Sequence, residues 1–356
     1  MTVDAKIWVV GIGGIGAALG CRLARDGDVL LVDTWADHVA AIRESGLEVD
    51  YAGETLVARS PALTLDEFTQ ITVSPPETVI LAVKSYQTPD VVRALKPLIG
   101  ADTQVVSAQN GLNEDVIADH LGADRTVGAI CLFDGQLVGP GRAQQRRTDG
   151  KMVIGDLGEN RSQLLKAIAA QLAPAVHVEI TDNIYGELWT KIIRNGMING
   201  VCALAGADVG TAVSDEAMLK IIVALGIEGV QVARALGVTL IESDLYGAQV
   251  NDFERGFIDS ASFARVADKV RSEYLGFARV IPSMAQDVAK SRRTEIEFLN
   301  GAVLARSVDA GVRAEVNEAI VAAVKRIEGS PHRPEDGRPA IGELAALVDR
   351  LTSHSA

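Results

Sequence analysis

Short apolar runs separated by amphipathic stretches dominate the first half of the chain. Runs of this length, rich in Val, Ile and Leu, are typical of buried parallel strands, and they cover residues 5–10, 29–33, 78–83, 104–107 and 125–130. Helical patterns lie between them, and this alternation predicts a doubly wound parallel sheet. Residues 133–155, which contain Gly139, Pro140 and Gly141, predict an antiparallel hairpin.

The second half has a different period. From about residue 181 the apolar positions follow a spacing close to 3.6, which predicts a helical region. One long helix is predicted to begin near Ser283 and to extend through Asn300, and another covers residues 317–328. Residues 329–338, with Pro331, Pro334 and the following Pro339, predict a loop before a short last helix. The length and this change predict two domains, 1–180 and 181–356.

A glycine-rich turn joins the first apolar run to the first helical pattern. A G-x-G-x-x-G motif is informative only when it follows a strand and opens a helix, and it does so here. Such glycines let the backbone approach a pyrophosphate, and the helix N-terminus supplies N–H donors. The alternative is a tight turn that binds nothing. We predict a dinucleotide site formed by Gly11, Ile12, Gly13, Gly14, Ile15 and Gly16.

Acidic and polar residues follow the other apolar runs. Asp33 ends the second run at the spacing of the acid that accepts the ribose hydroxyls of NAD. An acid there would repel the 2′-phosphate of NADP, and residues 34–37 contain no arginine to receive it. NAD is therefore the predicted cofactor, with NADP less favoured, although Asp33 could also be a helix-capping acid. Lys84 and Asn110 follow the third and fourth runs and are candidate cofactor or substrate contacts, or turn residues.

A polar stripe lies on the first helix of the second half. Lys191, Asn195 and Asn199 are spaced i, i+4, i+8, so their side chains share one helix face. One cation and two amides could hold a small anion that carries a carbonyl, and the alternative is a solvated face of an amphipathic helix. Hydride transfer to a carbonyl needs a proton donor, and no histidine is suitably placed. Lys191 remains, with Glu295 as a candidate carboxylate partner.

Composition excludes several classes of function. A net charge of −13 disfavours nucleic acids and anionic membranes as partners. The three cysteines are far apart and the five histidines are scattered, which predicts reduced thiols and no metal site. The first apolar run starts too close to Met1 for a signal peptide, and charged residues interrupt the later apolar stretches. We expect a cytoplasmic protein.

Together these residues resemble the ketopantoate reductase (2-dehydropantoate 2-reductase) family over nearly the whole chain. The motifs of the second half are more specific than the glycine loop. The resemblance is carried by the glycine loop, Val83-Lys84, Gln109-Asn110-Gly111-Leu112, Leu188-Trp189-Thr190-Lys191 with Asn195 and Asn199, Ser283-Met284-Ala285-Gln286-Asp287 and Thr294-Glu295-Ile296.

The resemblance implies a fold and a location for the active site. It implies a Rossmann-type N-terminal domain and an all-α C-terminal domain similar to that of 6-phosphogluconate dehydrogenase, with the active site in the cleft between them. The helical domain would also form the contact of a homodimer. Lys191 matches the family's catalytic lysine, the general acid toward the C2 oxygen of the substrate, and Glu295 matches its glutamate partner.

The remaining motif residues match binding positions. Asn195, Asn199 and Ser283 correspond to residues that hold the 2-oxo acid in the family. Asn110 matches a residue beside the nicotinamide. Lys84 matches a lysine that helps to hold the 2′-phosphate in members that use NADP.

Two departures from the family pattern change the expectation. Thr34 stands where members that use NADP carry an arginine, which argues against NADP. Asp208 and Val209 lie where a further family asparagine is expected, which argues against ketopantoate itself. Residues 35–39 are similar to those of NAD-dependent members that act on other D-2-hydroxy acids, including D-mandelate dehydrogenases.

The leading hypothesis is an oxidoreductase of the ketopantoate reductase type, which interconverts a 2-oxo acid and a D-2-hydroxy acid with NAD(H). In the family these two acids are 2-dehydropantoate and pantoate. A bulkier or aromatic pair such as that of mandelate is a close competitor. A non-catalytic NAD-binding regulator is disfavoured by the presence of both Lys191 and Glu295. A dehydrogenase for 3-hydroxy acids is disfavoured by the spacing of Ser283 and Glu295.

Overall fold

The structure, a computed structural model, describes residues 2–70, 72–158, 161–241, 253, 260–329 and 334–353. The chain divides into two units, Met1–Ile184 and Tyr185–Ala356. The first unit alternates strands and helices. Its strands are β1 (Thr2–Val3), β2 (Ile7–Val10), β3 (Val29–Asp33), β4 (Leu47–Tyr51), β5 (Glu54–Ala58), β6 (Ala62–Thr64), β7 (Thr72–Val73), β8 (Thr78–Leu81), β9 (Gln104–Ser107), β10 (Thr126–Leu132), β11 (Gln136–Gly139), β12 (Arg142–Gln145), β13 (Lys151–Asp156) and β14 (His177–Ile180).

The helices of the first unit connect these strands. They are α1 (Gly14–Asp26), α2 (Ala36–Ser45), α3 (Leu65–Phe68), α4 (Thr88–Leu95), α5 (Glu114–Leu121) and α6 (Ser162–Leu172). Eight strands form the main sheet in the order β14-β13-β10-β9-β8-β2-β3-β6. Neighbours are parallel except β10 and β13, which are antiparallel. This confirms the predicted Rossmann-type sheet.

The order of the strands locates the ligand edge of the sheet. The chain runs from β2 to β3 and β6 on one side and then crosses to β8, β9 and β10 on the other. A change of direction of this kind leaves a crevice at the carboxyl ends of the two central strands. The ladder continues past those ends, because the N–H of Gly11 donates to Val32 O at 2.8 Å and that of Ala82 donates to Val10 O at 2.8 Å.

Burial on both faces of the sheet explains the apolar runs. The four residues of each of β2, β8 and β9 are all buried. One apolar cluster packs α1 and α6 against one face, and a second packs α4 and α5 against the other. Trp8 belongs to the second cluster, where its ring meets that of Phe68 edge-on at 4.8 Å between centroids.

A second sheet in this unit was not predicted. Its order is β11-β12-β4-β5, and it joins the predicted hairpin β11–β12 to a second hairpin, β4–β5. The side chains of β4 alternate between buried and partly buried, as in a strand with one face on the core. In the sequence, an alternating pattern of only five residues cannot be distinguished from a loop.

The second unit is helical throughout its described residues. Its helices are α7 (Ile184–Ala205), α8 (Val209–Ser214), α9 (Glu216–Ala235), α10 (Ser260–Tyr274), α11 (Ser283–Ala289), α12 (Asn300–Ala310), α13 (Glu315–Ile327) and α14 (Pro334–Ser353). The centre of α9 is buried on all sides, and α8, α10, α12, α13 and α14 pack against it. Asp215 caps its N-terminus by accepting from Met218 N at 2.9 Å.

Two predictions in this unit are wrong. The long helix expected from Ser283 to Asn300 is interrupted, because α11 ends at Ala289 and Ser291 adopts a left-handed backbone with φ +51°. Residues 330–333 of the predicted loop lie outside the described residues, and its residues 334–338 belong, together with the predicted short last helix, to the 20-residue helix α14. Pro334 occupies its first position, where the missing N–H of a proline costs nothing.

Two features of the described residues bear on the predicted class of protein. Their helices are each too short or too polar to cross a bilayer. Cys21, Cys131 and Cys202 are buried and form no disulfide with one another, and burial raises the pKa of Cys202 to about 12.

Candidate functional site

The glycine loop closes tightly between β2 and α1. Gly11 has φ +94°, which favours glycine, and a Cβ there would lie 2.6 Å from Val83 N. A Cβ on Gly16 would overlap the carbonyl oxygen of Gly11. These two glycines therefore serve the turn and the packing of the helix on the strand.

Gly13 has a different environment. A Cβ on Gly13 would meet no atom within 4 Å, so this side of the loop is open. Gly13 is the N-cap residue of α1, no side chain caps the helix, and its first turn carries no acid. The backbone N–H groups of the first turn are therefore suited to an anion. This combination fits the pyrophosphate of a dinucleotide.

The carboxylate of Asp33 lies against the glycine loop. Its Oδ2 accepts from Ile12 N at 2.6 Å, and its Oδ1 accepts from Trp35 N at 2.8 Å. An ionised carboxylate has about four acceptor positions, so two remain for hydroxyl groups. Asp33 is therefore both a structural acceptor and a fit for the two ribose hydroxyls of NAD.

The surroundings of Asp33 offer little positive charge. The ring of Trp35 stacks on that of His38 at 5.4 Å between centroids. His38 is fully buried, and its Nδ1 accepts from Gly141 N at 2.8 Å. Burial lowers the pKa of His38 below its ordinary value of 6.5, so the ring is neutral at pH 7. A neutral ring cannot balance a 2′-phosphate.

Lys84 and Asn110 follow neighbouring strands, β8 and β9, and their turns are linked. Ser85 Oγ donates to Asn110 O at 2.6 Å, and Asn113 Nδ2 donates to the same oxygen at 2.7 Å. Gln109 Nε2 donates to Val83 O at 2.9 Å. Sequence reasoning named Gln109 only as part of a motif, did not select Ser85 or Asn113, and did not predict these hydrogen bonds. The signal available was their clustering at the ends of adjacent strands.

In the second unit the predicted stripe lies on α7. Lys191 and Asn195 are half-buried and Asn199 is 7% exposed, so the stripe is not a solvated helix face. The amides of Asn195 and Asn199 make no hydrogen bond with any residue that the structure describes. A buried amide normally has a partner, so the amide of Asn199 is available for a ligand, and the half-buried amide of Asn195 lies one helical turn away on the same face.

Glu295 lies on the irregular segment between α11 and α12. It is 6% exposed, and its carbonyl accepts from Phe298 N at 2.9 Å in a 3₁₀ turn. The preceding Thr294 donates to Glu328 at the end of α13 through its N–H and its hydroxyl, at 3.0 and 2.8 Å. Burial alone would raise the pKa of Glu328, but the hydrogen bonds from Thr294 and Lys325 lower it overall. The segment is thus anchored next to Glu295.

Comparison with known proteins agrees with this arrangement. Residues 7–159 match the model of the family described as ketopantoate reductase PanE/ApbA, and residues 183–328 match the model of its C-terminal domain. The chain belongs to the ketopantoate reductase family. This membership confirms the predicted family and the class of nicotinamide-dependent oxidoreductase.

Relatives of the ketopantoate reductase family match along most of their length. The chain is 29% identical over 310 residues to the 2-dehydropantoate 2-reductase of Streptococcus pyogenes serotype M6, covering 86% of this chain and 92% of that protein. A ketopantoate reductase structure from Ralstonia eutropha JMP134 has 26% identity and a TM-score of 0.76, covering 95% and 100%. A D-mandelate dehydrogenase solved with NADH and anilino(oxo)acetate shares the fold, with 22% identity, a TM-score of 0.76 and coverage of 98% and 99%.

Two residues differ from the family expectation in their surroundings. Ser283 is exposed at the first residue of α11 and makes no hydrogen bond with the described residues, whereas Glu295 is buried. Asp208, in the region of the absent family asparagine, is the N-cap residue of α8 and accepts from Thr211 N at 2.8 Å. Its carboxylate therefore has a structural role.

Proposed function

We propose that this member of the ketopantoate reductase family interconverts a 2-oxo acid and a D-2-hydroxy acid with NAD(H), with 2-dehydropantoate and pantoate as the first pair to test. The observation that carries the proposal is the pair of amides on α7, Asn195 and Asn199, which lack protein partners in the described part of the chain. The names of the relatives support the same reaction class.

Each candidate residue has a chemical role in this reaction. When bound, the nicotinamide supplies the hydride that the C2 carbon of the oxo acid accepts. Lys191 donates a hydrogen bond to the C2 oxygen and then the proton that neutralises it. Asn195 and Asn199 orient the carboxylate and the oxo group, because an amide can donate and accept. Glu295 faces the substrate as the partner of Lys191, and Ser283 contributes a hydroxyl.

The cofactor preference rests on the first unit. The glycine loop and Asp33 would hold the pyrophosphate and the adenosine ribose, and Asn110 would lie beside the nicotinamide. The carboxylate of Asp33 repels a 2′-phosphate and the neutral ring of His38 does not attract it. Thr34 is uncharged, so it cannot form an ion pair with that phosphate. Lys84 would offset part of that repulsion. The expected preference is therefore for NAD over NADP without strict exclusion.

A second candidate substrate is a bulkier or aromatic 2-oxo acid, such as the one that gives mandelate. The capping role of Asp208 favours it, because that carboxylate replaces an amide that the family uses for ketopantoate. We expect a homodimer in the cytoplasm for either substrate, and the mass of the purified protein in solution tests the dimer.

A panel assay tests the proposed function. Purified protein is mixed with NADH or NADPH and each of several 2-oxo acids, including 2-dehydropantoate, phenylglyoxylate and pyruvate, and nicotinamide absorbance is followed. Turnover of at least one 2-oxo acid is expected, together with a D-configured product. Binding of NADH without consumption on every member of the panel would indicate the regulator instead.

A further inference from the structure

A chain of buried amides crosses the second unit. Asn300 Nδ2 donates to Gly196 O on α7 at 3.0 Å and to Asn317 Oδ1 on α13 at 3.0 Å. Asn317 Nδ2 in turn donates to Glu228 Oε2 on α9 at 2.8 Å. Asn300, Asn317 and Glu228 are 0%, 1% and 3% exposed. One hydrogen-bond network therefore joins four helices, α7, α9, α12 and α13.

The carboxylate at one end gives the network its direction. Glu228 accepts from Val316 N and Asn317 N, each at 2.8 Å, in addition to the amide of Asn317. An ionised carboxylate only accepts, so the Nδ2 of Asn317 must face it. The Oδ1 of Asn317 is then turned toward Asn300, which must donate. The orientation of Asn300 is thereby fixed from Glu228.

The other end of the network reaches both parts of the candidate substrate site. Gly196 lies between Asn195 and Asn199 on α7, and a Cβ there would be only 3.1 Å from Asn300 Nδ2. Asn300 directly follows Leu299, whose N–H donates to Glu295 O at 3.1 Å. Asn300 therefore links α7, which carries Asn195 and Asn199, to the turn that contains Glu295.

Stability alone does not account for these residues. A buried polar network is often no more stable than apolar packing of the same volume, and Oδ1 of Asn300 has no partner among the described residues. What the network provides is a fixed register between two helices and a turn. A displacement on the order of 1 Å in such a register can cost about a hundredfold in rate.

Building on the proposed function, we propose that Asn300 is a positioning residue, fixed by Asn317 and Glu228, that holds the amides of α7 in register with Glu295. It does not touch the substrate in this account. Removing it should therefore impair use of the 2-oxo acid and leave NADH binding unchanged.

The test compares Asn300→Ala with a matched control at pH 8. Val324→Ala removes a buried apolar side chain from α13 and leaves every hydrogen-bonding group of the network in place. Asn300→Ala is expected to lower kcat/KM for the best 2-oxo acid by about ten- to a hundredfold, with the NADH Kd within about twofold of wild type. The control should lose thermal stability and keep its kcat/KM. Equal kinetic losses in both variants would overturn the positioning role.

A double variant tests the order of the network. Asn317 acts only through Asn300 in this account, so Asn300→Ala/Asn317→Ala should be about as impaired as Asn300→Ala alone. Multiplied losses would overturn that order. If Asn300→Ala does not fold, the milder Asn317→Ser takes its place in every comparison.

A readout independent of turnover separates this proposal from the proposed function. Hydrogen–deuterium exchange of a peptide covering residues 192–200 should be faster in the Asn300 variant than in Val324→Ala. Unchanged exchange would overturn the network even if the enzyme is active. If the wild type reduces no 2-oxo acid, the proposed function fails and exchange alone decides whether the network holds α7.

Discussion

The carboxylate of Asp33 and the backbone N–H of Ile12 are joined by a hydrogen bond of 2.6 Å. The bond ties the acid at the end of β3 to the glycine loop at the end of β2. The negative charge is thus held next to the loop that fits the pyrophosphate, with two acceptor positions left for hydroxyl groups. This relationship is the basis of the cofactor prediction.

We predict that NADH is preferred over NADPH by about tenfold or more in kcat/KM, equivalent to ~1.4 kcal/mol. A 2′-phosphate would place further negative charge beside Asp33, and neutral His38 cannot compensate. Asp33→Ala combined with Thr34→Arg should narrow or reverse the preference, because an arginine can pair with the phosphate. Kinetics of wild type and the double variant with both cofactors check this. Equal use of NADPH by the wild type would mean that Lys84 governs the site.

Two of the four glycines of the loop, Gly13 and Gly16, should respond differently to substitution by alanine. Gly13→Ala has space for its methyl group, so stability should hold while the NADH Kd rises by about tenfold, since the methyl occupies the approach of the pyrophosphate. Gly16→Ala collides with Gly11 and should cost on the order of 1–3 kcal/mol of stability. Urea denaturation and NADH titration of each variant measure the two effects. A Gly13 variant with unchanged affinity would place the pyrophosphate elsewhere.

Glu295 and Ser283 should differ in importance. Glu295→Gln removes a buried carboxylate on an anchored turn and should lower kcat/KM for the 2-oxo acid far more than it weakens NADH binding. Ser283→Ala removes an exposed hydroxyl, and its loss should be no more than about 1 kcal/mol, one hydrogen bond. Steady-state kinetics beside NADH titration separate the two. An effect of Glu295→Gln on NADH binding alone would move this residue out of the substrate site.

Glu228 should make stability depend on pH. Burial raises its pKa from 4.5 to about 7, against the lowering by the hydrogen bonds of Val316 and Asn317, and nearby Glu315 raises it further. As the pH rises, the carboxyl group of Glu228 loses its proton at a lower pH in the unfolded chain than in the folded chain. The contribution of Glu228 to the free energy of unfolding therefore falls as the pH rises from about 4.5 to 7, and it is constant above pH 7.

The loss of unfolding free energy across that window should be on the order of 3 kcal/mol. Urea denaturation at several pH values measures it as the difference between wild type and Glu228→Gln, which cannot titrate. If the free energy of unfolding depends on pH in the same way in both proteins, the folded structure does not raise the pKa of Glu228.

The sequence was sufficient for the five central strands of the main sheet and for the glycine loop, whereas β6 and β14 were not predicted and β13 was expected in a hairpin. Apolar runs of strand length and the spacing from Gly16 to Asp33 are local patterns, and local patterns identify buried strands and their turns. The left-handed Ser291 has no such signal, because a serine rarely adopts that backbone, so a continuous helix was predicted across it.

The buried network of Asn300, Asn317 and Glu228 could not be predicted from the sequence for a different reason. Asn300 and Gly196 are 104 residues apart, and Asn317 and Glu228 are 89 apart, so no periodic pattern connects them. The sequence identified the side chains of the α7 stripe, since i, i+4 spacing is visible, but not what holds that stripe in place.

The most direct test of the account follows the hydride and the proton donor together. NADH carrying deuterium at both hydrogen positions of C4 of the nicotinamide is incubated with the best 2-oxo acid, and the product is analysed by mass spectrometry for wild type and Lys191→Ala. We predict deuterium at C2 of a D-2-hydroxy acid, formed ~10²–10⁴-fold more slowly by Lys191→Ala, whose NADH affinity is unchanged. An unlabelled product, or near-wild-type turnover by Lys191→Ala, would contradict it.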